Sequence, residues 1–233
     1  MRTMSRSFMY GTRLQEMEQM MMSVPNFLPR GKGMIIMGKK MIDEKEEFKK
    51  CDYCSEFAKG ACTASHCLYM TERIGYGQIH YHHIVADRFS DFSNRFFKKR
   101  LRQIVRSFCG EWFLSSYHND RYSYLKESSP LTLKRKSEQL AIIYILSAHE
   151  ELWDRAKDHI HHKAIELDKI SLKGISTNGY ALYQAARTIM TGKSHIEVTE
   201  LADDSLISAY AFKAIINAFM IARYGDEIMT VMQ

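Results

Sequence analysis

Arg88-Phe-Ser-Asp-Phe-Ser-Asn-Arg-Phe-Phe-Lys98-Lys-Arg-Leu-Arg-Gln-Ile-Val-Arg-Ser-Phe108 is the stretch whose reading decides the fold class. Phe89, Phe92, Phe96, Leu101, Ile104, Val105 and Phe108 recur mostly three or four residues apart. That is the period of an α-helix with one apolar face, so a helix is expected over 86–109. The other positions carry Arg95, Lys98, Lys99, Arg100, Arg102 and Arg106, with Asp87 and Asp91 only near the start. Cations toward the C-terminal end complement the helix dipole, so a solvated basic face is one reading. Contact with phosphates or with an acidic protein surface is the other. These six cations are the candidate partner-binding residues.

Downstream the helical period continues. Helices are expected from Phe113 to Leu125, ended by Ser128-Ser-Pro130, then over Ser137–Ala148 and Glu150–His162. Ile165–Leu172 reads as an extended crossing segment. Further helices are expected over Tyr180–Thr191, closed by Gly192, and Asp204–Tyr224, stopped by Gly225. Residues 86–233 thus read as a basic helix leading into a helical domain.

Upstream, residues 1–47 read as a Met-rich helix and a loop broken by Pro25, Pro29 and Gly31-Lys-Gly33. No G-x4-G-K-[ST] phosphate loop occurs in the chain, which counts against a nucleotide triphosphatase. Residues 48–85 hold the most specific chemical signal: Cys51, Cys54, Cys62 and Cys67 in the pattern C-x2-C-x7-C-x4-C. Lys59-Gly60 can turn the chain between the two pairs, so that four thiolates surround one tetrahedral zinc ion, with His66 in place of one cysteine as the variant. Four sulfur ligands leave no open position, which makes the expected Zn2+ structural. The fifth cysteine, Cys109, reads as a buried free thiol. Gly75–Val85 alternates and reads as a short strand with His80 and His82 on one face. The expected fold is therefore mainly α with minor β: a helical domain with a small four-cysteine zinc-binding module.

Composition sets outer bounds. Of 233 residues, 45% are hydrophobic and 26% charged, ordinary for a globular protein. No apolar run approaches the roughly 20 residues needed to span a bilayer, so no membrane role is expected. Met1-Arg-Thr-Met-Ser-Arg-Ser-Phe8 has no apolar segment behind its charges, and the expected location is the cytoplasm of a bacterial host cell. Thirty-three Lys and Arg against 27 Asp and Glu give +6, compatible with an acidic partner.

Phe113…His118-Asn-Asp-Arg121-Tyr-Ser-Tyr-Leu, Ile142-Ile-Tyr-Ile-Leu-Ser-Ala-His-Glu-Glu-Leu152, Asn178-Gly-Tyr-Ala-Leu-Tyr-Gln-Ala-Ala-Arg-Thr-Ile189 and Ile215-Ile-Asn-Ala-Phe219…Arg223-Tyr-Gly225 resemble an uncharacterised helical domain family of Gram-positive phages and mobile elements. The resemblance spans about 112–226. Cys51–Arg73 separately resembles small cysteine-rich, zinc-knuckle-like proteins of such elements. A mobile-element setting implies an interaction protein, an anti-defence factor of the anti-CRISPR kind, binding a nuclease effector or its nucleic acid. The effector would be a protein or ribonucleoprotein such as a CRISPR nuclease. Neither resemblance carries catalytic residues across, and the expectation is a non-enzymatic protein. Two alternatives stand beside it. One is a zinc-containing DNA-binding regulator. The other is a metal-dependent nicking nuclease using His80 and His82, with Tyr122 as nucleophile and Lys126 beside it. A zinc-protease H-E-x-x-H is absent, because Trp153 stands where the second histidine would be.

Overall fold

The structure, a computed structural model, describes residues 13, 15–22, 63, 67, 69–75, 77, 79–128, 136–161 and 164–231. The chain divides into two units, Met1–Cys62 and Thr63–Gln233. In the first, the described element is α1 (Gln15–Met22), which exposes Met17 and Met20. The second contains α2 (Met70–Gly75), α3 (Tyr81–Arg88), α4 (Arg95–Ser107), α5 (Ser116–Ser128), α6 (Lys136–Ser147), α7 (Glu150–Ala156), α8 (Thr177–Thr191), α9 (Val198–Ala202) and α10 (Ala209–Tyr224). A final 3-10 turn spans Asp226–Thr230. The described residues are mainly helical and include no strand, only an isolated bridge between Ile160 and Ile165.

The second unit is built around α6, in which every residue from Leu140 to Ser147 is buried. A helix that is apolar nearly all round belongs inside a core. Helices α5, α7, α8 and α10 pack on it. The ends of these helices follow from local chemistry. Ser176 Oγ accepts from Gly179 N–H at 3.2 Å to start α8, and Ser208 Oγ accepts from Ala211 N–H at 3.2 Å to start α10. Gly192 ends α8 at φ +70°, a left-handed conformation that costs glycine little.

Polar groups inside this core are paired with one another. Asn217 is fully buried; its Nδ2 donates to Trp112 O at 3.2 Å and to the Tyr144 hydroxyl at 3.0 Å. Its Oδ1 accepts from the Tyr81 hydroxyl at 2.7 Å, and Tyr144 donates to Trp112 O. The network ties α3, α6 and α10 to the connection before α5. Leaving any of these groups unpaired would cost about 1–3 kcal/mol, which favours this one packing over its competitors.

Several sequence expectations change. Tyr81–Arg88 is helical where a strand was expected over 75–85, because Tyr81, Ile84 and Val85 stand at i, i+3 and i+4 and all three are buried. The single helix expected over 86–109 is two, separated at Phe89–Asn94. There Ser90 Oγ donates to Asp87 O at 3.3 Å, and Asn94 Oδ1 accepts from the Phe96 and Phe97 N–H groups, both at 3.0 Å, capping α4. On α4 the core residue is Phe97, fully buried, and not Phe96, which is 64% exposed. Cys109 is exposed, not buried.

Candidate partner-binding groove

α3 and α4 enclose a groove of about 670 Å³ lined by His82, Val85, Ala86 and Phe89 on one side and Arg95, Lys98, Leu101, Arg102, Val105 and Arg106 on the other. Ser90 and Ser93 close the end where the two helices join. Both walls are anchored to the core. On α3, Tyr81 stacks on Phe108 with ring centroids 3.8 Å apart, and the Tyr224 hydroxyl reaches Asp87. On α4, Phe97, Leu101 and Ile104 are buried, and Phe97 meets Phe212 edge to face at 5.7 Å.

The cations of α4 separate by angle around the helix. At 100° per residue, Arg95, Lys98, Arg102 and Arg106 fall within a sector of about 80°. These four line the groove, and all four are exposed. Lys99 is also exposed but is not among the lining residues. Among the described residues none of these five cations lies within ion-pair distance of a carboxylate. Arg102 Nε donates to Lys98 O at 3.3 Å, which lays its stem along the helix.

Arg100 has a different role from the one expected. It is 6% exposed and projects from the core side of α4. One guanidinium nitrogen donates to Leu201 O at 2.8 Å and Asp203 O at 3.1 Å, the other to Ile207 O at 2.6 Å. The group lies 4.2 Å from the Phe212 ring centroid. Arg100 thus fastens α4 to the turn after α9 and leaves the candidate contact surface. Taking Phe97 as origin, positions 97, 100, 101 and 104 are i, i+3, i+4 and i+7, the buried stripe. With Phe96 as origin this stripe is hidden and Arg100 falls among the exposed cations.

His82 stands at the rim of the groove beside His80 and His83, with ring centroids 5.7 and 3.9 Å away. His83 Nδ1 accepts the His80 N–H at 3.1 Å. Partial burial, then the His82 and His80 rings and Arg73, hold the His83 imidazole below the ordinary histidine range. Among the described residues no group of three or more His, Cys, Asp or Glu is arranged to hold a metal ion. Of the cysteines expected to bind zinc, Cys51, Cys54 and Cys62 lie outside the described residues. Cys67 is half-buried and its Sγ accepts from an Arg73 guanidinium N–H at 3.6 Å.

Two arrangements invite catalytic readings and are explained by structure. Tyr122 is 3% exposed, its hydroxyl has no hydrogen-bond partner among the described residues, and burial followed by Asp226, Tyr144 and Glu227 raises its pKa far above the ordinary phenol value. A nucleophile for a scissile phosphate needs the opposite, an accessible and easily deprotonated hydroxyl. Ser176 Oγ and His149 Nε2 are 3.3 Å apart. However, His149 Nδ1 accepts the Leu152 N–H at 3.4 Å and Ser176 Oγ caps α8, so in the neutral ring the proton sits on Nε2, facing the serine. The pair joins two helix caps and is not a base–nucleophile couple.

The α3 wall is not legible in the sequence, because the alternation over 75–85 suggests a strand and the continuous period over 86–109 does not fold Phe89 back opposite α4. No protein-family model, curated protein or solved structure matches this chain.

Proposed function

We propose that the chain is a non-enzymatic interaction protein that receives an anionic partner in the α3–α4 groove. The observation that carries this reading is the stripe of Arg95, Lys98, Arg102 and Arg106, exposed along one groove and unpaired with carboxylates among the described residues. Such a stripe raises the local potential and repels itself until an anion neutralises it. The resemblance to mobile-element proteins makes the partner a nuclease effector of a host defence system, engaged as an anti-CRISPR-type inhibitor would engage it. Cys51, Cys54, Cys62 and Cys67 hold a structural zinc ion in this proposal, on the strength of their spacing.

The test is binding of a purified CRISPR effector ribonucleoprotein to the immobilised protein at low and moderate salt. Wild type and Lys98→Glu/Arg102→Glu are compared. If the four cations contact phosphates, log K falls against log salt with a slope of about 3 to 4. Equal binding by the two proteins at every salt concentration would refute the groove as the contact surface.

A further inference from the structure

We infer that the groove is shaped for an acidic amphipathic α-helix of a partner protein, with its carboxylates on the α4 stripe and its apolar side chains on the groove floor. The inference rests on the proposed function and names the kind of partner.

Two features favour a helix over a nucleic-acid strand, and a third, the spacing of the cations, suits a helix. Lys98, Arg102 and Arg106 are four residues apart, so they rise about 6 Å at each step along α4. A partner helix with Asp or Glu at every fourth position repeats at the same interval and can lie alongside with the charges in register. The charge is also one-sided: the Lys and Arg side chains line only the α4 wall, whereas α3 contributes Val85, Ala86 and Phe89, with His82 at the rim. An amphipathic helix has such a boundary between charged and apolar faces; a sugar-phosphate backbone has no apolar face to set on the floor. Finally, sequence-tolerant strand binding uses open aromatic rings on which bases stack. Phe89, the phenyl ring on the floor, is 5% exposed, the His82 ring already lies against His80 and His83, and the exposed Phe96 is not among the groove-lining residues.

The experiment is fluorescence anisotropy with the full chain and four labelled probes at one salt concentration. The first probe is an alanine-based helical peptide of about 18 residues with Glu at every fourth position and Leu on the adjoining face. The second is a scrambled peptide of the same composition, and the third and fourth are single- and double-stranded DNA of about 20 nucleotides per strand. Four variants accompany wild type. Lys98→Glu/Arg102→Glu reverses the stripe. Val105→Asn makes the floor polar, and Ala86→Gln obstructs it at an exposed position where folding is not at stake. Gln103→Glu changes charge at an exposed site outside the groove.

The amphipathic peptide is expected to bind about tenfold more tightly than the scrambled one; Val105→Asn, by removing an apolar contact, and Ala86→Gln, by obstructing the floor, should each weaken it by about tenfold. The charge-reversed protein binds none of the probes, and Gln103→Glu behaves as wild type. DNA binding at least as tight as the peptide's, or indifference of peptide binding to both floor variants, would overturn the helical occupant while leaving an anion-binding groove. Absence of binding by every probe would overturn both the inference and the reading on which it rests.

Discussion

Acidification should destabilise the second unit through one side chain, His118. It is 1% exposed, its Nδ1 accepts the Leu114 N–H at 3.2 Å, and its Nε2 donates to Tyr144 O at 2.8 Å. That pairing admits only the neutral ring, since a second proton would sit on Nδ1 against another donor. Burial pushes the imidazole pKa down to about 4, aided by Arg121 and opposed by the bond to Tyr144 O. The unfolded chain titrates near the ordinary value, about 6.5. Between the two values the unfolded state binds the extra proton. Stability is therefore complete above the unfolded pKa, falls as the pH drops toward the folded one, and levels off below it. From about pH 7 to about pH 4.5 the loss from this residue is roughly 2.5 kcal/mol. Urea unfolding followed by circular dichroism at the two pH values, in wild type and His118→Gln, isolates it. Glutamine can donate and accept but does not titrate, so wild type should lose roughly 2.5 kcal/mol more than the variant. Equal losses in the two proteins would show that the His118 ring is not held neutral, and the reasoning from its partners would fail.

Arg100→Ala should cost about 3–5 kcal/mol in urea unfolding, because three backbone carbonyls lose their charged donor, whereas Lys98→Glu/Arg102→Glu should stay within about 1 kcal/mol of wild type. A reversed order would contradict the division of α4 into a core side and a groove side. Gly192→Ala should cost about 1 kcal/mol, since φ is +70° and an added Cβ meets nothing within 4 Å. Gly225→Ala should cost more, on the order of 2–3 kcal/mol, because φ 87° and ψ 174° form a region open essentially to glycine; the Glu227 carboxylate nearby is the end of an exposed side chain and can swing away. Thermal unfolding ranks the two. Under the zinc proposal, purified protein carries about one zinc ion per chain, and a chelator releases it with loss of structure; zinc-free protein with four freely reactive thiols among Cys51, Cys54, Cys62 and Cys67 would refute it.

Much of the helical body is legible in the chain because helix signals are local. The apolar period over 137–148 anticipates α6 to within a residue at each end, and Gly192 and Gly225 stop α8 and α10 where their conformational freedom predicts. The basic character of 95–106 is equally plain from the residues themselves. What local pattern left ambiguous was decided by packing. Tyr81 is helical because its ring lies on Phe108 and its hydroxyl meets Asn217, partners 27 and 136 residues away. Phe97 is inside and Phe96 outside because Phe97 meets Phe212. Once Phe97 sets the rotation of α4, Arg100 must point inward, and the three carbonyls waiting there make a buried guanidinium tolerable. The sequence alone thus determined that this is a helical protein with a basic α4 and a cysteine pattern suited to zinc. Only the tertiary structure decided which cations line a surface and that α3 supplies the opposite wall, because both depend on contacts between residues far apart in the chain.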